Sequence, residues 1–449
     1  MLGRRRPART LVASPRLRHP APPQVFLATF ALTVAVLVAL SLPRPGTLRT
    51  SRDFTLAGRS LGPAAVAWVI LGTLVGGAST VGTVQLAYER GLNAWLFTLG
   101  SGLACAVLGA FFALPLRKAG VVTVSEWIGQ HFGPRAALAS SSFAALGMFI
   151  HLVAQLLAAT AVLRAAFPIE RTPALLLASA LVFVAAAAGG LSGSSSLGRA
   201  KFILLAIMLL AGVAIAWRKT SPVTVAASLP QGDWDNLFAQ GLPKGASDLG
   251  AMIIGVLSTQ TYLQAVFAAR DARAARRGAL LAAALIPPIG LLAVGIGLFL
   301  RATRPDLAAN TARALPSFLD QAFPSPVAGL FSAGLLIIIV ATAAGLALGV
   351  TTNVHNDLLR PRLRRVPDVL ALRACAAVVV LAAATIVFFS RETTILAWSF
   401  LSMGMRGAAV FPALLAATFA PRLAGSPAVR AALWLAPPAY LAVAIFVLR

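Results

Sequence analysis

Residues 72–91 read Gly-Thr-Leu-Val-Gly-Gly-Ala-Ser-Thr-Val-Gly-Thr-Val-Gln-Leu-Ala-Tyr-Glu-Arg-Gly, inside an apolar stretch long enough to span a bilayer. Leu, Val and Ala alone would cover a plain membrane helix. Gly76, Gly77, Ser79, Thr80 and Gly82 instead loosen the helix and set polar groups at membrane depth. Irregular backbone persists there only against protein or a wet cavity. Broken helices of this kind form ion and solute sites near the bilayer midplane in transporters. Close helix packing through small residues is the other reading.

Hydrophobic residues make up 59% and charged residues 11% of the 449. This excludes a soluble globular or disordered chain and predicts an all-α polytopic membrane protein. The net charge of +25 comes largely from short loops between apolar spans, where membrane insertion and anionic lipid account for basic residues. No basic face with interleaved aromatics occurs, so lipid is an expected partner and nucleic acid is not. Cys105 and Cys375 fall inside apolar spans and are expected to pack rather than to bond or bind metal.

In chain order, residues 1–23 form a basic, proline-containing tail, and 24–42 a first membrane helix outside the core, too long for a signal peptide's apolar region. Residues 61–217 make a first repeat, 218–245 a connection with Pro222, Pro230 and Pro243, 246–419 a second repeat, and 428–449 a last membrane helix. This gives about twelve spans. The Lys and Arg excess lies in the odd loops, which places the N-terminus outside, against the preference of the tail. The second helix is interrupted at Gly76 and Gly77 and the seventh at Ser258, Thr259, Gln260 and Thr261. Matching interruptions five helices apart point to a binding site between inverted repeats.

If the two interrupted helices face each other, Gly76, Ser79, Thr80, Gln260, Thr261, Tyr262 and Gln264 surround a small polar solute. Each alone is as readily helix glue. His151 and Gln155 are four residues apart and share a face; such a histidine relays protons or hydrogen-bonds a neighbouring helix. Arg406 lies within a span, where it meets a solute carboxylate, packs against carbonyls or marks a boundary. No HExxH motif, phosphate-cradling loop, Ser/His/Asp spacing or pair of membrane carboxylates occurs, so neither an enzyme nor an organic cofactor is expected. The expected activity is uptake of a polar solute across a plasma membrane of the bacterial inner-membrane type. A transporter-like sensor or signalling scaffold without net transport is the alternative.

Five segments resemble the sodium/solute symporter family, the group that includes proline, pantothenate and sugar symporters. They are Ser51 to Gly62, Gly72 to Gly91, Thr123-Val124-Ser125-Glu126-Trp127-Ile128, Gln260 to Asp271, and Ala333 to Pro361, ending Asn356-Asp357-Leu358-Leu359-Arg360-Pro361. The resemblance implies a five-plus-five inverted repeat with broken first and sixth core helices, and a coupling ion, sodium in most members. It implies that the carbonyls of Gly72, Val75 and Ile338 hold sodium with two hydroxyls of the eighth core helix. One of those positions is Thr342; the other is Ala341, which has no oxygen. Where the family commonly has aspartate in the fifth core helix, the segment Gly189 to Lys201 has Gly198, with Lys201 following nearly one turn later. A lysine ammonium there can take the cation's place and carry a proton, which makes proton coupling or ion independence an alternative to sodium. The other reading of Lys201 is that it snorkels to the membrane boundary beside Arg199.

Overall fold

The computed structural model describes residues 23–41, 59–121, 123–187, 195–218, 220–230, 232–354, 368–390 and 394–447. Of the family-like segments 51–62 and 333–361, residues 59–62 and 333–354 are described; residues 51–58 and 355–361 are not, and neither are 189–194 or nearly all of the basic tail.

Among the described residues the chain is helical apart from turns and one parallel bridge between Leu61 and Ala269. Helix α1 is Pro23–Ser41. The first core helix is broken into α2, Pro63–Leu74, a wide turn Ala78–Gly82, and α3, Thr83–Arg90. The second is α4, Leu96–Val107, continued through another wide turn into α5, Ala113–Lys118. A short α6, Val124–Phe132, precedes α7, Pro134–Ala166, α8, Arg171–Ala187, and α9, Ser195–Arg218.

The connection expected as loop at 218–245 carries a short helix α10, Pro222–Ser228, and the second half begins within it at Leu242. Its first helix is again broken, into α11, Leu242–Leu257, and α12, Gln260–Phe267, bent by 43°. There follow α13, Ala272–Thr303, α14, Ala314–Ala322, α15, Ser325–Val354, α16, Asp368–Phe389, α17, Ile395–Phe419, and α18, Pro427–Val447. The two breaks therefore stand five core helices apart, as an inverted repeat requires.

Seven helices of the described residues are long and apolar enough to cross a bilayer, and eight when α11 and α12 count as one span. The expected count of twelve is not reached by length and apolarity alone. A broken helix divides its apolar length into pieces, and α2 and α8 are apolar but shorter than the test requires.

Helix ends follow local chemistry. Thr123 accepts from the Glu126 backbone N–H at 3.0 Å to start α6, and Asp271 accepts from that of Ala274 at 2.7 Å to start α13; each satisfies a donor that the first helical turn leaves free. At Gly91 the chain turns with φ +61°, and an added Cβ would collide with the Trp234 carbonyl. In the interior, α7 packs along both α15 and α17, so one helix from the first half lies between two of the second. Cys105 and Cys375 are buried and free, as their place in apolar spans predicts.

Candidate functional site

The first break is built from Val75 to Gly82. Helix α2 ends as Val75 leaves the helical region (φ −86°, ψ 99°). The backbone groups this frees are taken up locally: Ser79 Oγ accepts from Gly76 N at 2.9 Å and donates to Gly76 O at 3.1 Å, and Thr80 Oγ1 donates to the same oxygen at 2.8 Å. Gly77 N finds its acceptor on another helix, Gln155 Oε1 of α7, at 3.2 Å. The hydroxyls of Ser79 and Thr80 are thus spent on the break itself, which is how irregular backbone is tolerated at this depth.

The second break lies at Ser258 and Thr259. Thr259 Oγ1 donates to Gly255 O at 2.6 Å and accepts from Arg406 Nη1 at 3.0 Å. Arg406, on α17, is 1% exposed. It also donates from Nη2 to Ser402 Oγ at 2.7 Å and from Nε to Ser402 O at 3.3 Å, and it hydrogen-bonds the Tyr262 side chain. Ser402 Oγ donates to Gly147 O at 2.6 Å. A Cβ on Gly147 would stand 2.5 Å from Arg406 Cγ. The missing side chain lets α7 approach α17 closely enough for the guanidinium to lie between them.

Helix α7 joins the two breaks. Gln155, held by Gly77 N, presents Nε2 to His151 Nε2 at 3.0 Å. His151 in turn lies within reach of the Arg406 charge. All three side chains are at most 5% exposed. Gly77, Gln155 and His151 are hydrogen-bonded at the first break, and Thr259, Arg406 and Ser402 at the second, where Ser402 bonds Gly147; α7 carries both Gln155 and Gly147, so a buried polar path runs along it from one break to the other.

Of the residues expected around an ion, Gly72 has its carbonyl taken by Lys201 Nζ at 3.0 Å. Thr342 Oγ1 donates to Ile338 O at 2.9 Å, so two expected ligands bond each other. Gly76 lies beside them, since its Cβ would stand 3.1 Å from Thr342 Oγ1. Ala341 is fully buried and offers no oxygen. Among the described residues no group of His, Cys, Asp or Glu could hold a metal ion.

Not every expected solute residue points to this path. Gln260 Oε1 accepts from Val124 N at 2.9 Å, which ties the start of α12 to the start of α6. Tyr262 is buried beside Arg406, while Thr261 and Gln264 are half-buried on α12. Thr259, Ser402 and Gly147 were not among the expected site residues. Their traces in the sequence are the place of Thr259 in the second interruption and the four-residue spacing of Ser402 and Arg406 on one helix face.

Two clusters of contacts tie the broken helices to their neighbours away from the breaks. In one, Leu61 N donates to Ala268 O at 3.2 Å, Arg270 N to Leu61 O at 2.9 Å, and Arg117 Nε to Ala269 O at 2.6 Å. In the other, Gln85 donates to Thr311 Oγ1 at 3.2 Å and accepts from Ile395 N at 3.0 Å. Thr311 also bonds Glu89.

Two broken helices related by an inverted repeat, with a buried polar path along α7 between them, define a multi-pass transporter of the five-plus-five architecture. The model of the sodium:solute symporter family matches residues 54–434, and the chain belongs to that family. It is 22% identical over 369 residues to a sodium/glucose cotransporter of Vibrio parahaemolyticus, covering 74% of this chain and 68% of the relative. It is 25% identical over 193 residues to an uncharacterised symporter of Bacillus subtilis, covering 42% of this chain and 36% of the relative. Among solved structures, a Na+-coupled sialic acid symporter in a substrate-bound, outward-open state superposes with a TM-score of 0.64, covering 90% of this chain and 88% of the other at 17% identity.

Proposed function

We propose that this chain takes up a small polar solute by alternating access, and that the Lys201 amine stands where a coupling sodium would bind, so that uptake is driven by protons or is ion-independent. The observation that carries this reading is the 3.0 Å bond from Lys201 Nζ to the Gly72 carbonyl. That oxygen is one of the ligands the family resemblance assigns to sodium, and a cation on it excludes a second one by charge and by space. Ala341 removes a further ligand. Sodium, a hard cation, depends on a full set of oxygens, and the residues present do not fit it. Lysine is a side chain that gives up and regains a proton in buried sites.

The solute side of the reading rests on the polar groups gathered at the two breaks. The relatives are named for glucose and for sialic acid, both polar solutes. The membrane is taken to be a bacterial plasma membrane, with the N-terminus outside.

Sodium coupling is the second reading, favoured by the family and by the oxygen that Thr342 retains. Thermal unfolding of the purified protein in sodium against choline at fixed ionic strength separates the two. A bound ion at a hundred times its dissociation constant adds about 2.7 kcal/mol. No sodium-specific shift in the natural protein, together with a pH dependence lost in Lys201→Ala, is the expected result. A clear sodium shift overturns the lysine reading. Uptake into proteoliposomes tests transport against a sensing role.

A further inference from the structure

We propose that the cluster of Arg406, His151 and Tyr262 binds the carboxylate of an anionic organic solute. The inference rests on the transport reading for the site's purpose but not for its chemistry. Arg406 is almost fully buried, and its partners Ser402, Thr259 and Tyr262 are all neutral. The ion pairs among the described residues are Lys244–Asp248, Arg270–Asp271 and Arg304–Asp306, and none involves Arg406. A buried guanidinium without a counter-charge is costly, and such charges in membrane spans mark solute or ion pathways.

The histidine supplies an independent argument. Gln155 Oε1 accepts from Gly77 N, which fixes the amide orientation and leaves Nε2, a donor, facing His151 Nε2. His151 Nε2 is therefore the acceptor, and the neutral ring carries its proton on Nδ1. That atom is buried and without a hydrogen-bond partner. An unmet N–H within the field of an unpaired guanidinium asks for an anionic oxygen. Tyr262, accepting from Arg406, keeps its own O–H to donate. The N-terminus of α12, which begins next to Thr259, adds a positive end to the same place.

A neutral sugar would leave this charge uncompensated. Lys201, 4% exposed, adds a second buried cation near the first break. Ser402 and Thr259 hold Arg406 in position, while His151 and Tyr262 offer the donors, so the cluster sets charge recognition at one point.

The test uses the full chain in nanodiscs with potassium salts of acetate, lactate, pyruvate and succinate, each compared with its neutral amide, with glucose and with added chloride. The expected result is a saturable rise in unfolding temperature with at least one carboxylate and none with its amide. Arg406→Lys keeps a charge but loses the fork, and Tyr262→Phe loses one donor. Each should weaken carboxylate binding on the order of ten- to a hundredfold. An equal shift with amide, glucose or chloride, no shift with any carboxylate, or unchanged affinity in both variants overturns the proposal. Uptake into proteoliposomes is read separately. Carboxylate binding without uptake of the bound compound overturns the transport reading alone, whereas uptake of neutral solutes that Arg406→Lys leaves intact overturns the anion site alone.

Discussion

Lys201 reaches the carbonyl of Gly72 because Gly198, nearly one turn earlier on α9, has no side chain. A Cβ on Gly72 would stand 2.5 Å from Gly198 Cα, and one on Gly198 would collide with the Trp68 carbonyl. The backbones of α2 and α9 touch there. This contact brings the long lysine side chain to the end of α2, where the helix breaks.

Gly198→Ala is therefore expected to push α9 from α2 and to destabilise the protein by about 1–3 kcal/mol. Gly72→Ala should do the same. Because a single separation of the two helices relieves both, the double variant should cost less than the sum of the two. Thermal unfolding of the three variants checks this; strict additivity would count against the contact.

Gln155 serves two breaks of regularity at once. Gln155→Leu leaves the Gly77 N–H without an acceptor and His151 without its donor, at an expected cost of about 1–3 kcal/mol for the buried unmet group. Urea unfolding in detergent measures it. Gln155→Glu, which keeps an acceptor for Gly77, should retain more of the stability than leucine does.

Arg117 clasps the Leu61 end through the carbonyls of Ala269 and Arg270, the second at 3.3 Å. Arg117→Ala should raise the population in which this end is open. Amide exchange at Leu61 and Arg270, whose N–H groups cross the bridge, should then speed up by about fivefold for a loss of about 1 kcal/mol. Exchange at Ile395, whose N–H goes to Gln85 in the other cluster, should not.

Asp271 lies at the start of α13, outside the span, and its carboxyl is held below the usual carboxylate range by the Ala274 N–H first and by the Arg270 charge after it. A folded-state value below the unfolded one contributes stability that is present above the unfolded value, about pH 4, and is lost as pH falls through the folded one. Asp271→Asn, still a good cap, should flatten this acid-side loss while changing stability little at neutral pH. Asp271→Ala should lower the unfolding temperature at neutral pH as well.

The membrane class, the two interruptions, their five-helix separation and the family were all legible in the sequence. Apolar length, glycine and hydroxyl placement and short motifs are local properties, and they survive without knowing which helix touches which. The reading of Lys201 as a cation in place of sodium was open in the same way, since Gly198 and Lys201 share one face of a helix. What no spacing revealed was the company each residue keeps. Gln260 was grouped with the solute residues because it sits at a break, yet its carbonyl goes to Val124 N. Ser79 and Thr80 close their own helix.

The sequence by itself determined that this chain is a bundle of membrane helices with two broken ones, because hydrophobicity and backbone irregularity are written residue by residue. Only the tertiary structure decided that Arg406 on α17 lies beside Tyr262 on α12 with its charge felt at His151 on α7, that Ser402 and Thr259 hold the guanidinium, and that Gly72 bonds an amine. Those are contacts between helices far apart in sequence, and they depend on close approaches at Gly147 and Gly198 that exist only once the helices are packed.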